Sequence, residues 1–396
     1  MQHTDRRTNR TRMNNIDDEF DFLLGNTKEL EADISLPPDE IAEISQLSRR
    51  GYQLLKENRI LEAEKLFQKI LEKYPTNNYA LVGLGDIFRK KHKHRDAIKF
   101  YTTCLAYYPG NNYAYFGLAD CYKAMKQLPA AIEAWNSYLE HDPKNVTVIT
   151  RVADAYRKLK DFQTSKATYE RVLAINDHNA YALIGLGHLH FDFQEFESAL
   201  VYWEKIYTEN PDSVDIRVLT SIGNCHRKLK TFTKGLTYFL QALEKDPRNF
   251  FALFGAADCY RGMHNYESSL VFWLKILQVD PDNKVILTRA GDAFRVLDQI
   301  DKAEEFYMKA LNIGFDYYAI LGLALIHKSK GEYSDAIDKV QSLIKKDPRN
   351  HRLYIETANC YLEQGYKSKA VQILKDYLNL GLHNIYVTTL IHKIES

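Results

Sequence analysis

The chain has 396 residues, 45% hydrophobic and 27% charged, which is ordinary for a soluble protein and supplies ample core material. A net charge of +1 argues against general affinity for nucleic acid, and no stretch approaches about 20 uninterrupted apolar residues, so no membrane span is readable. The charge is unevenly spread: +3 over residues 1–12, −9 over residues 13–43, and +7 over the remainder.

The N-terminus, MQHTDRRTNRTRMNNIDDEF, is basic without a following apolar run and does not read as a secretory signal. Met13 is an alternative start that would remove the basic dozen. Residues 1–36 carry no repeat. Within them Asp17-Asp18-Glu19-Phe20-Asp21-Phe22-Leu23-Leu24 is acidic with embedded aromatics, predicting a disordered or partly helical tail over residues 1–43 that runs into the first helix. This composition suits a segment that folds onto a groove, so the tail is expected to dock on the chain's own basic face or on a neighbour's. Pro37-Pro38 then introduces the first helix.

From there the chain repeats about every 34 residues, ten times. Pro75, Pro109, Pro143, Pro211, Pro247, Pro281 and Pro348 close repeats at intervals of 34, 34, 68, 36, 34 and 67 residues. Such a period over most of a chain means a stacked solenoid, whose usual task is to present a long surface. In the repeat at 78–111, Leu81, Leu84, Gly85 and Phe88 follow helical spacing, Lys90 to His94 break it, and Ala97, Ile98, Tyr101, Cys104 and Leu105 resume it. The result is a hairpin of two amphipathic helices, with Gly85 and Ala97 small enough to let them approach. The repeats run 44–77, 78–111, 112–145, 146–179, 180–213, 216–249, 250–283, 284–316, 317–350 and 351–384. The small residue of the first helix recurs as Ala119, Ala153, Gly187, Gly223, Ala257 and Gly291. The bulky residue of the second recurs as Phe67, Tyr101, Trp135, Tyr169, Trp203, Phe239, Trp273 and Tyr307.

This small-large-small-large-Pro signature resembles the tetratricopeptide repeat, over about 86% of the chain. The closing Pro and paired small residues favour it over pentatricopeptide repeats. The resemblance implies an all-α fold, an α-α superhelix of right hand built from about ten hairpins over 44–384, and a bacterial member of the family. The last hairpin would leave an apolar face in water, so residues 385–396 are expected to form a short capping helix. Asp177, Phe315 and Leu382 replace the closing Pro, Val214-Asp215 is inserted, and the repeat at 284–316 is one residue short; the pitch is expected to change there.

A longer period overlies the first. Repeats at 112, 180, 250 and 317 open with aromatics, and three of them hold the only Trp residues. Repeats at 146, 216 and 284 open with apolar, Thr and Arg residues. The alternation near 68 residues reflects either duplication history or a surface whose chemistry repeats every second hairpin. Cys104, Cys121, Cys225, Cys259 and Cys360 read as small buried thiols, because equivalent helices lie too far apart for a disulfide.

In the resembled family the first helices line the concave groove. Here that face offers Asp86 and Arg89, Asp120 and Lys123, Arg151, Asp154 and Arg157, Asn224 and Arg227, Asp258 and Arg261, and Arg289, Asp292 and Arg295. Three-residue spacing puts each acid and base on one face. Two readings stand: intra-helix ion pairs on a solvated face, or a ladder that grips an extended peptide. The family's carboxylate clamp is not expected, since Ser48 and Tyr52 stand where its Lys and Asn would be. The run Arg89-Lys90-Lys91-His92-Lys93-His94-Arg95 reads as a solvated turn or a strip for an acidic partner or RNA. His188 and His190 point apart on a helix, so no metal is expected, nor any cofactor. No catalytic constellation is present. The reading is a cytoplasmic, non-enzymatic scaffold for an unidentified protein or peptide partner. An RNA-binding solenoid and a non-catalytic subunit of a larger enzyme are the alternatives.

Overall fold

The computed structural model describes residues 38–209, 211 and 213–396. The N-terminal tail and its expected docking lie outside the described residues, as does Asn210. Among the described residues there are 21 helices and no strand. They pair as α1 (Pro38–Lys56) with α2 (Ile60–Lys73), α3 (Asn78–Lys90) with α4 (His94–Tyr107), α5 (Asn112–Ala124) with α6 (Leu128–His141), and α7 (Val146–Lys158) with α8 (Phe162–Ile175). Next come α9 (Ala180–Asp192) and α10 (Phe196–Glu209), then α11 (Ile216–Lys228) with α12 (Phe232–Lys245) and α13 (Phe250–Gly262) with α14 (Tyr266–Val279). The rest are α15 (Lys284–Val296) with α16 (Ile300–Ile313), α17 (Tyr317–Ser329) with α18 (Tyr333–Ile344), α19 (His351–Glu363) with α20 (Lys367–Asn379), and α21 (Ile385–Glu395). Odd numbers are the first helices of the hairpins.

Helix starts are written in a Pro-X-Asn punctuation. Pro cannot continue the preceding helix, and the Asn two residues on caps the next one. The side-chain oxygens of Asn77, Asn111, Asn145, Asn249 and Asn283 each accept from a backbone N–H three residues on, at 2.9–3.3 Å. Turns inside the hairpins use one left-handed residue, and seven of the eight that are not glycine are Asn58, His92, Lys126, Lys160, Gln194, Lys230 and His264, at φ 59 to 65°. The last two hairpins place Gly331 and Gly365 there. The residue after each donates back five positions, as Lys93 N–H does to the Phe88 carbonyl at 2.9 Å, so an orphan carbonyl of the first helix is met.

The helices form two compact units, one ending at Leu189 and the other beginning at His190. Within each, second helices pack on their own first helix and on the first helix of the next hairpin, as α4 does on α3 and α5, and α14 on α13 and α15. The core is a row of rings from the second helices. Phe67, Tyr101, Trp135 and Tyr169 are fully buried in the first unit, and Phe239, Trp273 and Tyr307 in the second. Burying one such ring removes about 150–250 Å² from water and stabilises by roughly 2–3 kcal/mol.

Glycines make room for these rings. A Cβ on Gly85 would lie 2.5 Å from the Tyr101 ring, and one on Gly117 2.3 Å from it, so the ring is clasped between the first helices of two hairpins. Phe239 is clasped likewise by Gly223 and Gly255, and Tyr307 by Gly291 and Gly322. The C-terminal cap is present: α21 buries Val387 and Ile391 against Leu374 and Tyr377 of the last hairpin. At the inserted pair, Val214 is buried and its carbonyl accepts from Lys245 at 3.0 Å. All five cysteines are buried free thiols, and burial pushes Cys104, Cys121, Cys225 and Cys259 up to about 12.

Candidate binding face

One half-buried stripe of the first helices holds charges that meet across hairpins. In the first unit, Asp86 accepts from the Tyr101 hydroxyl at 2.7 Å and from Arg89 at 3.0 Å. The other arm of Arg89 reaches Asp120, one hairpin on, at 3.2 Å. Asp120 also accepts from Arg151 of the following hairpin at 2.6 Å, so one carboxylate ties three first helices together. The Arg151 guanidinium lies 4.5 Å from the centre of the Phe116 ring. Asp154 accepts from the Tyr169 hydroxyl at 2.5 Å, with Arg157 at 3.7 Å. The Lys123 ammonium lies over the Trp135 ring, and burial together with nearby Arg151 lowers its pKa.

The second unit repeats the device. Asp258 accepts from Arg227 at 2.8 Å, from Arg261 at 2.9 Å and from Arg289 at 2.9 Å. Arg289 lies over Phe254 and Trp273, at 5.1 and 5.5 Å from their ring centres. Burial pushes the Asp258 carboxyl up, but Arg261, Arg289 and Arg227 outweigh it and hold the group below its usual range. Asp292 accepts from the Tyr307 hydroxyl at 2.6 Å, and here burial wins, so its carboxyl sits above the usual range. Arg227 also donates to Asn224 at 3.2 Å, and Arg295 stands beside Tyr307 and Asp292.

The 68-residue alternation has a physical basis in this arrangement. Where the second helix carries Tyr or Phe, as at Tyr101, Phe239 and Tyr307, the next first helix places Gly against the ring, and the two first helices pack directly on each other. Where it carries Trp135 or Trp273, the same place holds Arg151 or Arg289, the first helices pack less closely, and the arginine spans the gap to the preceding Asp. Trp has no hydroxyl to offer the Asp of its own hairpin, so that Asp is left for the neighbours' arginines. In the repeat at 180–213, His188 occupies the Asp place and Ser221 follows where Arg would stand.

Two matching family models, both described as tetratricopeptide repeat, cover residues 88–151 and residues 49–103, 151–214 and 321–381, together more than half of the chain. The chain belongs to the tetratricopeptide repeat family. Among solved structures it is similar to the C-terminal part of a repeat-containing protein from Cytophaga hutchinsonii, at 18% identity and TM-score 0.52, covering 61% of this chain and 99% of that one. It is also similar to a tetratricopeptide repeat protein from Parabacteroides merdae, at 15% identity and TM-score 0.50, covering 63% and 98%. No curated protein matches the sequence. The fold class is thus all-α, in stacked α-α hairpins, and this is a fold of protein–protein interaction scaffolds. No described helix of this tetratricopeptide-repeat protein is long and apolar enough to cross a membrane.

The ladder residues named from sequence lie along one stripe of the first helices, where Arg261 is exposed, Asp86 and Asp258 are buried and the others are half-buried, and most are already engaged. Within-helix pairs form at Asp86–Arg89, Asp154–Arg157 and Asp258–Arg261. Arg151 and Arg289 reach back to the preceding hairpin rather than forward to Asp154 and Asp292. The missed partners are the tyrosines, each 15 residues after its Asp. Of the basic run, Lys90 donates to the Leu55 carbonyl at 3.1 Å and Lys91 pairs with Glu64, so both tie adjacent hairpins. His190 is buried and bonds Glu195 at 2.6 Å; His226–Thr231 and His327–Glu332 repeat that bond from first helix to turn. His327, Glu332 and Asp335 bring donor atoms within 4.8 Å of one another, which follows from this shared turn geometry.

Proposed function

We propose that this protein is an interaction scaffold whose first-helix face grips an acidic, extended segment of a partner protein. One observation carries the reading. In the second unit, the four arginines Arg227, Arg261, Arg289 and Arg295 lie beside two carboxylates, Asp258 and Asp292, and three of them converge on Asp258 alone. The half-exposed guanidinium of Arg261 offers donors that a partner's carboxylate can take at small desolvation cost. Charges on this face do not demand a ligand for stability, but their excess of base favours one of negative sign.

A peptide array varying in acidic content, probed with the full chain, tests this. Binding is expected to rise with Asp and Glu content, to fall with added salt, and to drop at least tenfold on Arg261→Glu with Arg295→Glu. Binding that ignores both the acid content and these substitutions removes the first-helix face from consideration.

A further inference from the structure

The turn between α17 and α18 brings together three side chains of metal-ligand type. The His327 Nδ1 lies 2.6 Å from a Glu332 carboxylate oxygen, and Asp335 adds a third donor, all three within 4.8 Å of one another. The backbone fixes the first two. Gly331 takes the left-handed place at φ 78°, and the Glu332 N–H donates back to the His327 carbonyl at 2.9 Å. Asp335 follows Glu332 by three residues, on the same side of the first turn of α18. The same three places recur in the other hairpins, and only this one fills all of them with ligands. His190 and Glu195 are followed by Ser198, His226 and Thr231 by Lys234, and Phe294 and Gln299 by Lys302. The bond from His to the turn is therefore a recurring device, and Asp335 is what this hairpin adds to it.

The charges at this turn favour a cation. Two carboxylates converge on one imidazole, and among the described residues no lysine or arginine forms an ion pair with Glu332 or Asp335. Lys330, on the same turn, is held by Glu304 at 3.0 Å. We propose that His327, Glu332 and Asp335 bind a divalent first-row transition ion of the Zn2+ class, through the imidazole Nδ1 and one oxygen of each carboxylate. An imidazole nitrogen beside carboxylate oxygens suits such an ion, whereas Mg2+ and Ca2+ take oxygen ligands. Metal bonds of about 2.0–2.2 Å put tetrahedral donors about 3.4 Å apart, so these must draw in by up to about 1.4 Å. Glu332 and Asp335 are exposed and can turn inward, while the His327 side chain, 19% exposed, stays as the fixed ligand. The proton between Nδ1 and Glu332 moves to Nε2 or to water, so the ligand is the neutral imidazole. Three protein ligands leave a position open to water or to a partner's carboxylate. Bound there, the ion ties α17 to α18 at the edge of their hairpin. The site is separate from the charges of the first-helix face and does not depend on what that face binds.

Isothermal titration of the full chain with ZnCl2 tests this. It is run beside Asp335→Ser, the residue the hairpin at 180–213 has there, and His327→Phe, the residue of the hairpin at 284–316. The parent is expected to show one site that each substitution weakens at least tenfold, with circular dichroism unchanged. Zn2+ is also expected to raise the melting temperature of the parent and to raise that of Asp335→Ser less at the same concentration. MgCl2 is expected to do neither. Absence of Zn2+ binding by the parent overturns the proposal. So does binding that either substitution leaves intact, because the ion then sits on other residues. An equal response to Mg2+ and Zn2+ overturns the role of the imidazole. Should His327→Phe disturb the fold, Asp335→Ser decides alone, since Asp335 is exposed and its carboxylate supports no contact of the hairpin.

Discussion

Replacing Asp258 with alanine tests whether the charges on the first-helix face hold the stack together. The carboxylate accepts from three guanidiniums on three successive first helices, at 2.8 to 2.9 Å. Its side chain is 7% exposed, whereas those of Arg227, Arg261 and Arg289 are 22, 46 and 29% exposed. A charge-assisted hydrogen bond contributes about 1.5–3 kcal/mol net, and three on one acceptor fall well short of additive. The arginines can turn part-way to water after the change, which limits the penalty further. The expected cost of Asp258→Ala is about 3 kcal/mol, with about 2 kcal/mol for Asp120→Ala, which meets two guanidiniums. Urea denaturation followed by circular dichroism gives the total, and hydrogen exchange of the α13 and α15 amides gives the local part. A double-mutant cycle with Arg289→Ala should show coupling of about 1–2 kcal/mol, while Arg151→Ala, from the other unit, should add without coupling to Asp258→Ala. A cost below about 0.5 kcal/mol for Asp258→Ala refutes the claim that this carboxylate ties the hairpins.

Gly255→Ala would place a methyl 2.2 Å from the buried Phe239 ring, and a net loss of about 2 kcal/mol is expected after the helix-propensity gain; Gly110→Ala, with nothing nearer than 3.6 Å, should change the urea midpoint little. Lys230→Gly relieves a left-handed residue at φ 59° and should raise stability by about 0.5–1 kcal/mol, while Gly331→Ala at φ 78° should lower it by a similar amount. Asp258 and Asp292 should respond oppositely to pH. Asp258 is held below its usual range, so its contribution is complete above about pH 4 and lost as pH falls through its folded value. Asp292 is held above its range, so the folded state favours its proton; that contribution is complete below about pH 4 and lost as pH rises through the folded value. Asp292→Asn keeps an acceptor for Tyr307, so urea titration at pH 7 should find it at least as stable as the parent, and a loss beyond about 1 kcal/mol there contradicts the assignment.

The hairpins were legible because their signals are local. Small residues at Gly85 and Ala97, bulky ones at Phe88 and Tyr101 and a stop at Pro109 lie within one repeat and depend on nothing beyond it. The Asn caps were equally local: Asn77, Asn111, Asn145, Asn249, Asn283 and Asn350 each stand two residues after a Pro, a regularity readable without coordinates. The bridges were not legible. Asp86 and Arg89 three apart satisfy an intra-helix reading completely, and only the packing of adjacent first helices brings Arg89 opposite Asp120, 31 residues on. The aromatic and Thr/Arg openings showed that repeats alternate. The cause lay in an exchange between positions 16 residues apart, Tyr101 with Gly117 against Trp135 with Arg151, which links two hairpins rather than describing one. The left-handed turns gave no signal, because Lys160 or His92 at φ above 50° is a strained choice that the surrounding hairpin imposes.

The same bridges limit what can bind. Arg227, Arg261 and Arg289 already share Asp258 as their acceptor, so a ligand there must replace a partner rather than fill a vacancy. A neutral segment would strip Arg261 from Asp258 and return less than a charge-assisted bond. A carboxylate returns a bond of the same kind, and it leaves Asp258 with Arg227 and Arg289, so the tie between α11, α13 and α15 survives the exchange. The outermost arginine is therefore the one that can be lent to a partner without loosening the stack. That predicts a division among the arginines of one cluster: Arg261→Ala should weaken binding of acidic peptides with little effect on stability, whereas Arg289→Ala should lower stability first. Its guanidinium is the one lying over Phe254 and Trp273, where removal leaves both a lost ion pair and uncovered rings. Paired urea and anisotropy measurements on the two variants separate these roles, and equal effects on both quantities would show that the cluster is not partitioned in this way.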